Sequence, residues 1–133
     1  MAANFKFELV SPERILVSAD VSEVLLPGAD GDFTVLAGHA PVVSTLLPGT
    51  VRAVMADGIK RIYVHGGLAE VSPSSVTILA ERAFITDEVD PRQLEKDLAE
   101  AETALKAADD DTARLHVNRA IQELKALVDA KRS

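Results

Sequence analysis

Several residue types are missing from this 133-residue chain or scarce in it, and each absence excludes a class of protein. There is no cysteine, so disulfide bonds and thiolate metal sites are excluded. There is no tryptophan, and one tyrosine and four phenylalanines leave few rings on which nucleic-acid bases could stack. A net charge of −7 also argues against nucleic-acid binding, because proteins of that class usually present a basic surface.

Long apolar runs are missing as well. No run of about 18 apolar residues occurs, so we predict no membrane-spanning helix. The first ten residues, MAANFKFELV, lack the apolar stretch and the small-residue cleavage pattern of a signal peptide. Hydrophobic residues still make up 47% of the chain, which is enough for a packed core. We therefore expect a protein of the cytosol or of a cytosolic membrane face.

Glycine, proline and aromatic residues are confined to residues 1–91. The last glycine is Gly67, the last aromatic residue is Phe84, and residues 92–133 contain neither glycine nor proline. This change in composition predicts a boundary near Asp87–Pro91. We accordingly divide the chain into residues 1–86 and residues 87–133.

The first part has the period-two alternation of half-buried β-strands. The alternating apolar sets are Phe5, Phe7 and Leu9; Val51, Ala53 and Met55; and Val76, Ile78 and Ala80. Asp57-Gly58 between two such runs predicts a hairpin turn, because both residues tolerate positive φ. Pro27-Gly28, Pro48-Gly49 and Gly66-Gly67 are interpreted as further turns. Many short strands with frequent turns favour a sandwich or a barrel.

The second part has the spacing of two helices. Asp90 followed by Pro91 is typical of a helix N-cap and first helical position. Apolar residues then recur on one face at Leu94, Leu98, Ala101 and Leu105, and again at Val117, Ile121, Leu124 and Val128. The polar run from Asp109 to Thr112 separates the two patterns. We predict an antiparallel αα hairpin.

Charge is distributed unevenly within this hairpin. Residues 87–111 carry three basic and ten acidic residues, whereas residues 112–133 carry five basic and two acidic residues. Arg114, Lys125 and Arg132 are spaced 11 and 7 residues apart, so they form one row along the second helix. The pattern allows two interpretations, a solvated helix face or a surface that contacts an acidic partner.

The stretch GDFTVLAGHAP, residues 31–41, contains one of the three histidines. Asp30, Asp32 and His39 could supply two carboxylates and an imidazole to a metal or catalytic site. Their spacing matches no common metal-binding motif, however, and the glycines and proline around His39 are better interpreted as turn residues. The glycine-rich HGGLAEV, residues 65–71, lacks the lysine of a phosphate-binding loop.

Two separated segments carry a resemblance to a known family. LVSPERILVSADVSEVLLPGADGDFTVLAGHAP, residues 9–41, and VHGGLAEVSPSSVTILAERA, residues 64–83, resemble the two signature regions of the epsilon subunits of bacterial F-type ATP synthases. The likeness continues through the helical hairpin. It implies an all-β N-terminal sandwich of about ten strands followed by a C-terminal αα hairpin. It also implies a non-catalytic central-stalk subunit that links the gamma subunit to the c ring, with no cofactor, metal or catalytic residue.

The resemblance assigns roles to individual residues. It implies that Gly31, Asp32 and Phe33 face the c ring and that His39 lies near gamma and the ring. It also implies that the second helix can restrain ATP hydrolysis by meeting acidic residues on the beta subunits, within the assembly of alpha and beta subunits. Arg114, Arg119 and Lys125 are the candidates for that contact.

Alternative functions remain at this point. The chain could be a stand-alone ligand-binding β-sandwich, or a metal-dependent enzyme that uses Asp30, Asp32 and His39. A rotor subunit would be a peripheral protein on the cytoplasmic face of the cell inner membrane and would copurify with the proton-translocating ATPase. A stand-alone binder would purify as a monomer without it.

Overall fold

The computed structural model describes residues 4–132, with side chains as far as Val128, so the side chain of Arg132 lies outside the described part. Residues 4–132 form eight β-strands and two α-helices. The elements are β1 (Phe5–Val10), β2 (Ile15–Val21), β3 (Glu23–Leu26), β4 (Phe33–Val35), β5 (Val42–Met55), β6 (Gly58–Ser72), β7 (Ser75–Ala80), β8 (Ala83–Ile85), α1 (Pro91–Ala107) and α2 (Asp111–Arg132). They form two compact units, one ending at Ile85 and one beginning at Thr86.

The first unit is one hydrogen-bonded sheet that folds over into two layers. The strand order is β2-β1-β7-β6-β5-β3-β4, and β8 pairs with β6. The first layer is formed by β2, β1, β7, the end of β6 and the start of β5, and the second by β4, β3, β8 and the parts of β5 and β6 that pair with β3 and β8. Because β2 also contacts β5 and β8, the layers face each other as a sandwich.

The core of the sandwich comes from the alternating residues that the sequence indicates. Phe7 and Leu9 on β1, and Ile78 on β7, are fully buried, while their neighbours in sequence face outward. Val51 and Ala53 on β5 are also fully buried. The predicted all-β sandwich is therefore confirmed.

Two predicted turns are wrong. Pro48-Gly49 lies inside β5 and Gly66-Gly67 lies inside β6, so two long strands of 14 and 15 residues stand where more and shorter strands were expected. At Gly66-Gly67, β6 changes its partner from β8 to β7. Gly67 has a φ of 154°, and a Cβ there would lie 2.4 Å from the carbonyl oxygen of Leu79. Glycine serves here to bring two backbones close together within a strand, and not to end one.

The N-terminus of α1 is capped as the sequence predicts. The Asp90 side chain accepts the backbone N–H of Arg92 at 2.9 Å, and Pro91 occupies the start of the helix. This backbone hydrogen bond lowers the pKa of the Asp90 carboxyl, and the positive charge of the Arg92 guanidinium contributes to the decrease.

The second unit is the predicted helical hairpin. Asp110 caps α2 by accepting the backbone N–H of Ala113 at 2.7 Å, and α2 packs against α1. Leu94, Ile121 and Leu124 from the predicted apolar stripes are buried. Asp97 is buried too, and it accepts a hydrogen bond from Gln93 at 2.9 Å. No described helix has a stretch apolar enough, at sufficient length, to cross a membrane.

Candidate functional site

The loop between β3 and β4, together with the first residue of β4, carries the three residues predicted to face the c ring. Leu26 pairs with Phe33 at the base of the loop, and the backbone N–H of Gly31 donates to the carbonyl of Gly28 at 3.1 Å. A Cβ on Gly28 would lie 2.8 Å from the Gly31 oxygen and from the Phe33 ring, so this position requires glycine. Gly31 has a φ of 124° and Asp32 is exposed. The loop is thus a tight turn that presents a carboxylate.

Hydrogen bonds tie this loop to the sheet beside it. The Ala29 N–H donates to the Thr45 carbonyl and the Leu47 N–H donates to the Pro27 carbonyl, both at 2.9 Å. Thr45 and Leu47 belong to β5, which is one of the long strands. A loop held in this way loses little conformational entropy when a partner binds to it.

His39 ends a second turn that lies next along the chain. Its backbone N–H donates to the carbonyl of Leu36 at 3.1 Å, and its Nδ1 lies 2.7 Å from the carbonyl oxygen of Ala40. Since a carbonyl can only accept, Nδ1 carries the proton in this contact, and Nε2 is the nitrogen left to other partners. The His39 ring also lies 6.4 Å from the ring of Phe33, measured between centroids. The structure therefore brings His39 and Phe33 together.

The enzyme hypothesis requires Asp30, Asp32 and His39 to direct their side chains to one site, and the structure does not show that arrangement. Asp30 and Asp32 are both exposed on the β3–β4 loop, and the Nδ1 of His39 is directed at a backbone oxygen. Within residues 4–132, no group of three or more histidine, aspartate and glutamate side chains is placed to hold a metal ion. What the segment presents is a pair of ordered turns with exposed polar and apolar side chains, which is suited to contact with another protein.

The basic residues of α2 do not share one face. Arg114 and Lys125 are exposed and lie 11 residues apart, which places them about 20° from each other around the helix. Arg119 is half-buried and lies about 140° around the helix from Arg114. Arg114 forms an ion pair of 3.7 Å with Asp111, and because both side chains are exposed we expect it to contribute little to stability.

An exposed apolar row on the first layer of the sandwich was not predicted from the sequence. Val10 pairs with Ile15 on one side and with Leu79 on the other, and Leu79 pairs with Leu68. The four side chains, which we call the apolar row, cross β2, β1, β7 and β6 on the outer face. Ile15 is 59% exposed and Leu79 is 49% exposed. A bulge between Leu9 and Val10 turns Ile15 outward.

A second row lies beside the apolar row on the same outer face and is acidic. Glu8 pairs with Thr77, Thr77 pairs with Glu70, and Glu70 pairs with Val43, which is 63% exposed. The first layer thus presents an apolar and acidic surface. Sequence alternation indicates that each of these residues faces outward, but only the strand register shows that they are neighbours.

Comparisons with known proteins agree with this architecture. Residues 4–86 match the family described as "ATP synthase, Delta/Epsilon chain, beta-sandwich domain". The ATP synthase epsilon chain of Fuscovulum blasticum is 46% identical over 128 residues, which cover 96% of this chain and 95% of that protein. The epsilon chain of Brucella anthropi is 46% identical over 121 residues, which cover 90% of this chain and 87% of that protein.

Two solved structures share the fold. A chain in the cryo-EM structure of the Euglena gracilis mitochondrial ATP synthase, OSCP/F1/c-ring, has a TM-score of 0.70 and 26% identity, over 96% of this chain and 81% of that one. A chain in the central stalk/c-ring structure of the Tetrahymena thermophila mitochondrial ATP synthase has a TM-score of 0.68 and 14% identity, over 95% of this chain and 97% of that one. At this identity the match shows a shared fold and no more. The chain therefore belongs to the ATP synthase delta/epsilon family, in which the epsilon chain is a non-catalytic subunit of the synthase.

Proposed function

We propose that this epsilon chain acts as a rotor subunit of the central stalk, where it links gamma to the c ring and so couples proton transport to ATP synthesis. The observation that carries the proposal is the β3–β4 loop. It presents Asp32 from a turn that is closed by glycines and tied to β5 through backbone hydrogen bonds. A rigid projecting carboxylate can pair with basic or amide groups on the polar loops of a ring and thereby fix orientation.

The outer face of the first layer supports a second contact of the same function. In the apolar row, Ile15 and Leu79 are exposed and Val10 and Leu68 are half-buried, and exposed apolar surface of this kind marks protein interfaces. Gamma is the proposed occupant, because a subunit that transmits torque needs a permanent contact, and permanent interfaces are the more hydrophobic ones. The β3–β4 loop, with His39 beside it, would then contact the c ring.

The hairpin is proposed as the regulatory part. Arg114 and Lys125 are exposed on α2, where they are available to an acidic surface of the beta subunits. Such a contact would restrain ATP hydrolysis. The proposed location is peripheral, on the cytoplasmic face of the cell inner membrane, and follows from attachment to the membrane-embedded ring.

Membrane vesicles that contain the assembled synthase test both sandwich contacts. Asp32→Arg reverses the charge at the proposed ring contact, so we expect the complex to assemble but ATP-driven proton pumping to fall. Leu79→Asp places a charge in the apolar row, so we expect the epsilon chain to be lost from the purified complex. Asp57→Arg is the control, since Asp57 is exposed in the turn between β5 and β6 and carries the same charge change.

The outcomes separate the two contacts. Pumping by Asp32→Arg equal to that of the Asp57→Arg control would contradict the ring contact. Full retention of Leu79→Asp in the complex would contradict the gamma contact. Circular dichroism of each free variant establishes that the sandwich is folded.

A further inference from the structure

The strand β2 forms one edge of the sheet. The strand order places it at the end, and among the strands of residues 4–132 only β1 pairs with it. Its contacts with β5 and β8 are made across the sandwich. The backbone N–H and C=O groups on the open side of an edge strand have no strand partner, and native proteins usually shield such an edge or pair it with another chain.

The direction of the open backbone groups follows from the parallel pairing of β1 with β7. The N–H of Lys6 donates to the carbonyl of Ser74 at 3.0 Å, so the backbone groups of Lys6 point to β7, and those of Glu8 point the same way. In the ladder with β2, Lys6 pairs with Asp20 and Glu8 pairs with Ser18. Ser18 and Asp20 therefore direct their own N–H and C=O groups away from β1, toward the open edge.

Little shields this part of the edge. Ser18 and Asp20 are exposed, and β2 contains neither proline nor lysine, the residues that commonly protect edge strands. The one charge of β2, on Asp20, lies opposite the charge of Lys6 in the ladder. The bulge distorts only the start of the strand, and just beyond its end the Ser22 N–H donates to the Val54 carbonyl at 2.9 Å. The open segment is thus residues 18–20.

The side chains of the open segment define what kind of strand fits beside it. Ala19 is half-buried and packs against the core, whereas Ser18 and Asp20 face outward. Side chains of paired residues share a face of the sheet, so an apolar side chain opposite Ala19 would cover the margin of the core. The edge therefore fits an extended segment with an apolar residue between two polar ones.

The apolar row reaches the same strand. Ile15 is the member of the row on β2, and it is 59% exposed. It lies three residues before Ser18, which is about 10 Å along a strand. A protein that covers Ile15 is therefore within reach of the open segment, and gamma is the proposed occupant of the apolar row.

We propose that gamma contributes an extended segment that adds to the edge of β2 and pairs with Ser18 and Asp20 through backbone hydrogen bonds. This inference rests on the proposed function, since it takes gamma as the protein that covers the apolar row. In strand addition the main-chain hydrogen bonds supply affinity and the alternating side chains supply specificity. Because hydrogen bonds are directional, such pairing would fix the orientation of gamma on the sandwich.

Amide hydrogen exchange tests the pairing, on the free full-length chain and on the assembled synthase. Mass spectrometry with electron-transfer fragmentation measures deuterium at single residues. In the free chain the N–H groups of Ser18 and Asp20 should exchange rapidly, while that of Ala19, which points to β1, should be protected. In the synthase, exchange at Ser18 and Asp20 should slow by about tenfold or more.

Two exchange results would overturn the proposal. One is rapid exchange at Ser18 and Asp20 in the assembled synthase. The other is protection that develops in the free chain as its concentration is raised, because the strand on the edge would then come from a second copy of this chain.

A pair of variants at one position tests the contribution to binding. Ser18→Pro removes the N–H at the open edge and leaves the ladder with β1 in place, since proline is tolerated where the N–H of an edge strand faces solvent. Binding to synthase depleted of its epsilon chain should weaken by about tenfold. Ser18→Ala keeps the N–H, so its binding should stay within about twofold of the wild type. Equal binding by the two variants, with both folded by circular dichroism, would contradict the pairing.

Cross-linking identifies the occupant. Because the chain contains no cysteine, Ser18→Cys carries a single thiol that a benzophenone maleimide can label. Irradiation of the assembled synthase should join the labelled chain to gamma. A cross-link to another subunit, or to a second epsilon chain, would overturn the proposal.

Leu79→Asp separates a failure of this inference from a failure of the proposed gamma contact. If Leu79→Asp is lost from the complex while Ser18→Pro binds as tightly as Ser18→Ala, the gamma contact stands and the strand pairing is wrong. Full retention of Leu79→Asp would contradict the gamma contact, and the inference with it.

Discussion

The sandwich and the hairpin bury their apolar residues in different ways. The sandwich core joins residues from Phe5 to Ala80, and its pairings include a parallel one between β1 and β7, far apart in sequence. The hairpin joins two consecutive helices through a short turn that Asp110 caps. Non-local cores lose stability as a unit, whereas a pair of neighbouring helices can separate locally. We therefore expect the sandwich to unfold as one unit and the hairpin to open more readily.

A substitution in the sandwich core should reduce the stability of the chain more than any other change proposed here. Phe7 is fully buried on β1, which pairs with both β2 and β7. Phe7→Ala should therefore reduce the free energy of unfolding by about 3–5 kcal/mol, through lost burial and a cavity. Urea unfolding of the free chain measures the change. For comparison, Leu124→Ala in α2 should reduce helix content and leave sandwich signals in place. If both variants lost the sandwich signals and the helix signals to the same extent, the two units would not differ in stability and the comparison would be contradicted.

Removing the basic side chains of α2 tests the regulatory role of the hairpin. Arg114→Gln, Arg119→Gln and Lys125→Gln together should raise ATP hydrolysis by the assembled synthase several-fold at low salt, where such contacts are strongest. Lys96→Gln with Lys106→Gln, both exposed on α1, is the control. Single variants would show which side of α2 makes the contact, because Arg119 lies on a different side of α2 from Arg114 and Lys125. An unchanged rate of ATP hydrolysis in the triple variant would mean that the hairpin does not restrain hydrolysis.

Removing the hairpin entirely should have little effect on the sandwich. Truncation after Thr86 leaves the core cluster of the first unit complete, since its members end at Ala80 and the partly buried residues packed on it end at Ile85. We expect a soluble, folded fragment with dispersed amide signals that still binds gamma. An insoluble fragment would place the domain boundary elsewhere.

Removing the N-cap of α1 should have the smallest effect on the folded chain. The pKa of Asp90 is lowered in the folded chain, so its stabilising effect is complete above the ordinary value of 3.8 and is lost as the pH falls through the lowered pKa. Asp90→Ala should therefore reduce helix content at neutral pH and approach the wild type in acid. Circular dichroism as a function of pH measures this difference. Asp109→Ala, at an exposed aspartate of the interhelix turn, is the control for the loss of one carboxylate.

Several features of the fold and the site follow from local chemistry. The alternation of Phe5, Phe7 and Leu9 predicted β1, and the Asp90-Pro91 pair predicted the start of α1. The resemblance of residues 9–41 and 64–83 predicted the family that the comparisons show. Contacts with the c ring, gamma and the beta subunits stay predictions, because a single chain does not contain its partners.

The sequence by itself determined the inward residues of strands such as β1 and β7, where the helices begin and to which family the chain belongs, because periodicity, capping and signature residues are properties of nearby positions. Only the tertiary structure decided that Gly66 and Gly67 continue a strand, that four outward residues form the apolar row, and that Ser18 lies opposite Glu8. The physical reason is strand register. It is fixed by the packing of the whole core, and a shift of one residue would place every side chain of a strand on the opposite face.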